Sequence, residues 1–158
     1  MFFIIENCNL ALANYLIDSG AGTALDTFPA KLAVDKTGPN TVVDAHRCTE
    51  DPPNSGIYKL EVAITVETQS ATDAGAATSA LTDSLNRLNL VEKALKPSLD
   101  WSVLRDAINA ASNAAQPAIP FTIQGIADAG REAMINEART MWIDVIHLEV
   151  WGSQPDSD

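Results

Sequence analysis

The chain has 158 residues, of which 46% are hydrophobic and 20% charged, and this composition suits one folded domain with a substantial core. Its net charge of −11, with ten Lys and Arg residues scattered along it, argues against a protein that grips nucleic acid through a basic face. The same acidity disfavours contact with an anionic membrane, and no apolar run approaches the roughly 20 residues that span a bilayer.

The N-terminal region predicts a helix followed by a loop. Residues 7–19 have helical spacing, with Asn7 or Asn9 as the cap. Residues 20–40 are rich in Gly and Pro and predict a loop with one short strand at about 31–34. The opening MFFII is short and has no basic stretch before it, so we expect no signal peptide and a protein made in the cytosol.

A β-hairpin is predicted next. Residues 41–47 predict one strand, and the turn-forming run EDPPNSG at 50–56 leads into a second strand at 57–68. Side chains alternate along a strand, so the second strand has two different faces. Its apolar face consists of Tyr58, Leu60, Val62, Ile64 and Val66, and its polar face of Lys59, Glu61, Ala63, Thr65 and Glu67.

Two helices follow the hairpin. Residues 71–88 predict a helix whose apolar stripe consists of Ala74, Ala77, Leu81, Leu85 and Leu88. Residues 89–96 predict a bent helical turn, and Ser98 is the expected cap of a second helix at 99–114. The apolar side of that helix is predicted to be Leu99, Val103, Ala107, Ala110 and Ala111.

The C-terminal region predicts a second hairpin. Residues 121–130 and 141–152 alternate as strands do, and the residues between them are either a long hairpin arm or a loop. The predicted fold class is therefore α+β, with an antiparallel sheet of about four strands, helices packed on one face and the order α-ββ-αα-ββ. Residues 1–152 form the single predicted domain, and 153–158 form a polar acidic tail.

The two cysteines allow a weak metal-site hypothesis. His46 and Cys48 would face the same way in a strand, and Cys8 and His147 are the other ligands available for zinc. No closely spaced second pair supports this set, so packing or surface roles are favoured. We expect the cysteines to be small, buried or half-buried apolar residues.

Acid–base chemistry has one candidate cluster. Asp144, His147 and Glu149 lie on the last predicted strand, with His147 and Glu149 on one face and Asp144 on the other. A salt-linked surface pair is the more ordinary interpretation, and the sequence contains no GxSxG, P-loop, GxGxxG or HExxH motif. SGAG at 19–22 follows a helix and does not open one, which predicts a helix end and not a phosphate site.

Aromatic residues suggest a surface for other subunits. Trp142 and Trp151 fall on opposite faces of the last strand, so a sheet covered on one side buries only one of them. The other, together with Phe2 and Phe3, is a candidate for contact with another subunit. Alternatively, the arm at 128–141 folds over it.

Four features carry a family resemblance: the N-terminal helix, the alternating strand at 57–68, the Ala-rich helix at 71–88 and the closing strand MWIDVIHLEV. They cover most of residues 5–151. In size, element order and pattern, without a diagnostic motif, the chain resembles the phage tail terminator (tail-completion) proteins. The 20–40 loop and the helix at 99–114 fit another small neck or connector protein equally well.

The resemblance implies a ring, usually hexameric, that caps the finished tail tube and joins it to the head-side connector. It implies subunits packed through sheet edges and helix faces, with DNA passing through the lumen and no sequence-specific binding. An acidic protein suits that task, because a lumen rich in Lys and Arg would hold the duplex.

We therefore expect a non-enzymatic structural protein of the virion, made in the host cytoplasm, with no cofactor, no metal and no membrane contact. Its expected partners are copies of itself, the tail tube protein and head-side connector proteins. The residues expected at a subunit interface or facing the lumen are Phe2, Phe3, Glu61, Thr65, Glu67, Trp142 and Trp151. The alternatives are another neck protein, such as a stopper or adaptor, and a small cytosolic α+β enzyme or ligand-binding domain. A deep pocket lined by His46, Cys48 and His147 would favour the ligand-binding alternative.

Overall fold

A computed structural model of the chain describes residues 3–29, 38–69, 74–135 and 141–155. Within these ranges the chain forms three helices and five strands. In chain order they are α1 (Ile4–Asp18), β1 (Thr27–Phe28), β2 (Asn40–Glu50), β3 (Tyr58–Gln69), α2 (Ala74–Leu95), α3 (Trp101–Ala114), β4 (Thr122–Ile135) and β5 (Met141–Ser153). The strand predicted at 31–34, Phe2 and the last three residues of the predicted tail lie outside the described residues.

The strands form one sheet in the order β1-β2-β3-β5-β4. β2 pairs with β3, β3 with β5 and β5 with β4, all antiparallel, which confirms the predicted α+β fold and its α-ββ-αα-ββ order. The two-residue strand β1 was not predicted, and it adds a parallel pair with β2. It is held there because the Thr41 N–H donates to the Asp26 carbonyl at 2.8 Å, just after a turn that starts at Thr23.

One face of the sheet is covered by the helices and forms the core. The predicted alternation in β3 is confirmed, and β5 follows the same rule from Ile146 to Gly152, where every second residue is buried. α1, α3 and the C-terminal half of α2 pack on this side and share one apolar cluster with the strands. Its largest fully buried side chains include Leu12, Leu16, Leu60, Ile64, Leu95, Leu104, Ile108, Ile146 and Leu148.

Helix α1 begins three residues before the predicted start. Ile4 is buried in the core and Phe3 provides no side-chain cap, so burial of an apolar residue sets this helix start. The predicted helix end in SGAG is confirmed. Gly20 has a φ of +82°, and the N–H of Ala21 donates to the Leu16 carbonyl at 2.9 Å, which closes the last turn.

The remaining boundaries differ from the predictions in length. α2 continues without a break past residue 88 to Leu95, because Val91 and Leu95 are buried on its core side. α3 begins at Trp101, and Asp100 is its cap, accepting a hydrogen bond from the Ser102 N–H at 2.9 Å. The region after residue 130 is part of strand β4, which runs to Ile135.

The core-facing sides of α2 and α3 are rotated from the predicted stripes. Leu81 and Leu85 are 38% and 52% exposed, and Leu99 and Val103 are exposed as well. Of the predicted stripes, Ala111 is buried, and Leu88 and Ala107 are partly buried against the core. The other buried positions are Ser84, Val91 and Leu95 on α2, and Leu104, Ile108 and Ser112 on α3. An alanine-rich helix has apolar residues around much of its circumference, so the sequence leaves its rotation about the helix axis open.

A β-bulge in β2 separates two residues that the sequence places together. The register between β2 and β3 shifts between Ala45 and Arg47, so His46 is the extra residue. The Ala45 N–H there donates to Asn9 Oδ1 of α1 at 2.7 Å, a fully buried bond. Beyond the bulge Cys48 lies opposite Leu60, on the helix-covered side.

Candidate interaction surface: the open face of the sheet

The face of the sheet turned away from the helices is called the open face here. On β3 it presents the predicted polar side chains, and Glu61, Thr65 and Glu67 are each half-buried. Val42 and Val145 are buried on the same side. Among the described residues, the carboxylates of this face are Asp44, Glu61, Glu67, Glu132 and Glu149, and its basic side chains are Arg47 and Lys59.

Two carboxylates face each other across the centre of the sheet. Glu61 of β3 lies directly opposite Glu149 of β5, an arrangement that is unfavourable unless cations lie nearby. Lys59 Nζ is 3.6 Å from Glu149 Oε1, and it also lies over the Trp151 ring, 5.6 Å from the ring centroid. Arg47 pairs with Glu61 in the β2–β3 register. The carboxylates outnumber the cations, so the face remains acidic.

Both histidines of the chain lie on this face, each beside a carboxylate. His46 Nε2 is 3.9 Å from Glu61 Oε2, and His147 Nε2 is 3.3 Å from Glu132 Oε2. The side chains in both pairs are at least one-third exposed, so each pair contributes little to stability. Between the histidines lies a depression of about 170 Å³, lined by His46, Glu61, Val62, Ala129, His147, Leu148 and Glu149.

This arrangement brings together imidazole and carboxylate groups but leaves them open to water. The depression is shallow and smaller than a typical ligand pocket of at least about 300 Å³. The open face is therefore a broad acidic surface and not a ligand pocket.

In the structure the four residues of the zinc hypothesis lie on both sides of the sheet. The prediction that His46 and Cys48 face the same way is therefore wrong. The bulge turns His46 to the open face and leaves Cys48 on the other. Cys8 is fully buried, and this burial raises the pKa of its thiol well above the usual range. The nearby Cys48 raises that pKa as well, to a smaller extent. Among the described residues no group of three or more His, Cys, Asp or Glu side chains could hold a metal ion. The expectation that both cysteines are buried or half-buried is confirmed.

The predicted aromatic candidates separate as the alternation requires. Trp142 lies opposite Thr68 on the helix-covered side, and Trp151 lies opposite Lys59 on the open face. Both are half-buried, so neither is sealed in the core. Phe3 is 67% exposed and lies one residue before α1.

The free edge of β4 is a feature that the sequence analysis did not single out. Near its start this edge is blocked, because the Asn109 amide of α3 bonds both the N–H and the carbonyl of Ile123, at 2.8 and 3.0 Å. Residues 128–134 are all exposed, so the distal half of the edge is open to solvent. Gly125 and Gly130 lie at the two register shifts of β4, and glycines inside a strand were the sequence signal for an irregular edge strand.

Comparison with known proteins adds no family assignment. Neither the protein-family models nor the curated proteins that were searched contain a match to this chain. In the described part of the chain no helix is both long and apolar enough to cross a membrane.

Proposed function

We propose that the protein is a structural subunit of a ring at the head-side end of a phage tail, namely a tail terminator, with its open face turned to the lumen or to the next subunit. The observation that carries this proposal is the open face, where the part of the chain that the structure describes places five carboxylates and two basic side chains. Carboxylates repel the phosphates of a duplex and do not release its counterions, so DNA would pass without being held.

The edge of β4 supports the same proposal. A ring subunit needs surfaces on which copies of itself can pack, and an unpaired strand edge is such a surface. Residues 128–134 provide an exposed length of edge strand, and Asn109 limits it on the side of α3. Rings form when a head-to-tail contact of this kind closes on itself.

The state of assembly is the first test. We expect the purified protein, examined by native mass spectrometry and electron microscopy, to form closed rings or to join such rings when isolated tails are added. A protein that stays strictly monomeric in both experiments would contradict the proposal. Binding to tail tubes, as opposed to head-side connectors, would separate a terminator from a stopper or adaptor.

Charge reversal separates the two orientations of the open face. In the variant with Glu61→Lys and Glu67→Lys, a lumen-facing surface would still assemble but would retain duplex DNA in a salt-dependent way. If the face contacts the next subunit, the same variant would fail to form rings. Asp106→Lys, on the exposed side of α3, is the control for a single charge reversal away from this face. An unchanged ring that ignores DNA would count against any role for this face.

A small ligand-binding protein or enzyme is the second candidate, and the cluster of His46, His147, Glu61 and Glu149 is the observation that favours it. A ring subunit should tolerate His147→Ala and Glu149→Ala in assembly and in tail completion. Loss of function in either variant, with folding and assembly intact, would favour chemistry or ligand binding at the depression.

A further inference from the structure

A groove separates the N-terminal half of α2 from the distal end of the β4–β5 hairpin. It has a volume of about 480 Å³, and its apolar walls include Leu81 and Leu85 of α2, Met134 of β4 and Trp142 of β5. Because the two leucines are exposed here, the side of α2 that carries them is not packed against the hairpin. Contiguous exposed apolar walls of this kind mark sites of contact with other molecules.

Asp144 is the carboxylate that lines this groove. Its position opposite Val66 puts it on the helix-covered side of the sheet, and burial raises its pKa. It forms no ion pair or hydrogen bond with any other described residue. Elsewhere on this side Glu92 and Asp128 both pair with Arg131, whereas Asp144 has no such cation among the described residues.

Polar atoms without partners also occur in Trp142, which lines the groove, and in two residues near the lining, Thr68 and Ser84. Thr68 Oγ1, Ser84 Oγ and Trp142 Nε1 are buried, and none has a hydrogen-bond partner among the described residues. Thr68 lies directly opposite Trp142, and Ser84 is on the core side of α2. Since buried polar groups are normally hydrogen bonded, these donors and acceptors are free to bond a group that is not part of the described chain.

The open part of the β4 edge leads into the groove. Ala133 and Met134 belong both to the exposed stretch 128–134 and to the groove lining. A strand added beside β4 would send alternate side chains towards the groove side of the sheet. An extended chain segment is therefore the shape that this surface accommodates.

We propose that the groove binds an extended segment of a neighbouring protein through a Lys or Arg side chain that pairs with Asp144. The aliphatic part of such a side chain suits the walls formed by Leu81 and Leu85, and its cation suits both the carboxylate and the indole of Trp142. The net charge of −11 also favours a basic partner. The binding of a basic segment in the groove does not depend on the proposed function. The identity of the neighbour as a protein of a phage assembly does rest on it.

The test uses the full-length protein and a defined probe, the peptide acetyl-TVTKVTVT-amide, with a control peptide that has norleucine in place of lysine. The three tryptophans are labelled as 5-fluorotryptophan, and Trp142→Phe identifies the signal of Trp142. We expect the lysine peptide to shift that signal and not the signal of Trp151, and to bind at least tenfold more tightly than the norleucine peptide, a difference typical of one charge-assisted hydrogen bond.

The variant Asp144→Asn keeps the shape of the side chain and removes its charge, and circular dichroism checks that it folds. It should bind the lysine peptide at least tenfold more weakly, whereas Asp83→Asn, on the opposite side of α2, should bind as the wild type does. Equal binding of the two peptides, full affinity in Asp144→Asn or a shift at Trp151 alone would overturn the proposal.

Assembly distinguishes this proposal from the ring proposal. A monomer that binds the lysine peptide through Asp144 would refute the ring proposal and support the groove proposal. Rings that ignore the peptide and form equally well with Asp144→Asn would refute the groove only. If the wild type ignores the peptide but its own assembly is lost in Asp144→Asn and kept in Asp83→Asn, the groove stands with a second copy as its partner.

Discussion

Replacing Arg87 by methionine is expected to destabilise the fold by about 3 kcal/mol. Arg87 of α2 binds Asp26 through both arms of its guanidinium, with Nη1–Oδ1 at 2.9 Å and Nη2–Oδ2 at 2.7 Å. The two side chains are only 12% and 16% exposed, so the substitution leaves a poorly solvated carboxylate without its cation. Removing one partner of a buried pair costs about 3–5 kcal/mol, and the lower end applies because Asp26 keeps its hydrogen bonds from Thr23 and Thr27.

The effect should depend on pH in a defined direction. Burial raises the pKa of Asp26, but the hydrogen bonds from Arg87 and the Thr23 amide, together with the charge of Arg87, outweigh burial and hold the pKa well below its usual range. A folded-state pKa below the unfolded value of about 3.9 stabilises the protein above that value, and the stabilisation is lost as the pH falls through the folded pKa. The stability difference between wild type and Arg87→Met should therefore be constant at neutral pH and shrink below about pH 4.

Urea unfolding at fixed protein concentration, followed by tryptophan fluorescence, measures both effects. The loss corresponds to a melting temperature roughly 6–12 °C lower for a domain of this size. Arg105→Met is the control, because Arg105 pairs with Asp106 on the exposed surface and should contribute less than about 1 kcal/mol. If Arg87→Met is as stable as the control, or if its deficit does not shrink in acid, the argument from the buried pair is wrong.

Three further substitutions test contacts that shape the surfaces discussed above. Asn9→Ala leaves the buried Ala45 N–H at the β2 bulge unpaired and should cost about 1–3 kcal/mol in urea unfolding. Hydrogen exchange at the Ala45 amide should become faster, and unchanged exchange would contradict this prediction. Gly152→Ala places a Cβ against the ring of buried Phe121 and should cost about 1–3 kcal/mol, part of which is recovered by adding Phe121→Leu. Equal stability of all three proteins would refute the close approach. Asn109→Ala frees the β4 edge at Ile123 and should increase concentration-dependent association in sedimentation experiments, whereas reduced association would count against an edge-blocking role.

The features predictable from the sequence are those with a local physical cause. The alternation from Tyr58 to Val66 predicts a strand with one buried face, and the structure confirms it because burial on one side of a sheet requires a period of two. The same rule separates Trp142 from Trp151. Gly20 marks the end of α1 because few other residues adopt its positive φ.

Other features were decided by contacts between elements distant in the chain. Asn9 of α1 bonds the bulge in β2 and so turns His46 and Cys48 to opposite faces, which no spacing rule could reveal. The rotation of α2, which leaves Leu85 exposed, depends on where the helix meets the sheet and not on its alanine-rich sequence.

The candidate surfaces divide in the same way. The polar side of β3 with Glu61 and Glu67 was predictable, because its composition is a local property of one strand. The groove at Asp144 was not predictable, because it is a gap between α2 and a hairpin formed more than forty residues later in the chain. The sequence alone determined that alternate residues of β3 are buried, since the side-chain period is local. Only the tertiary structure decided that Asp144 lies in a groove without a cation among the described residues, since that depends on which other elements come within reach of it.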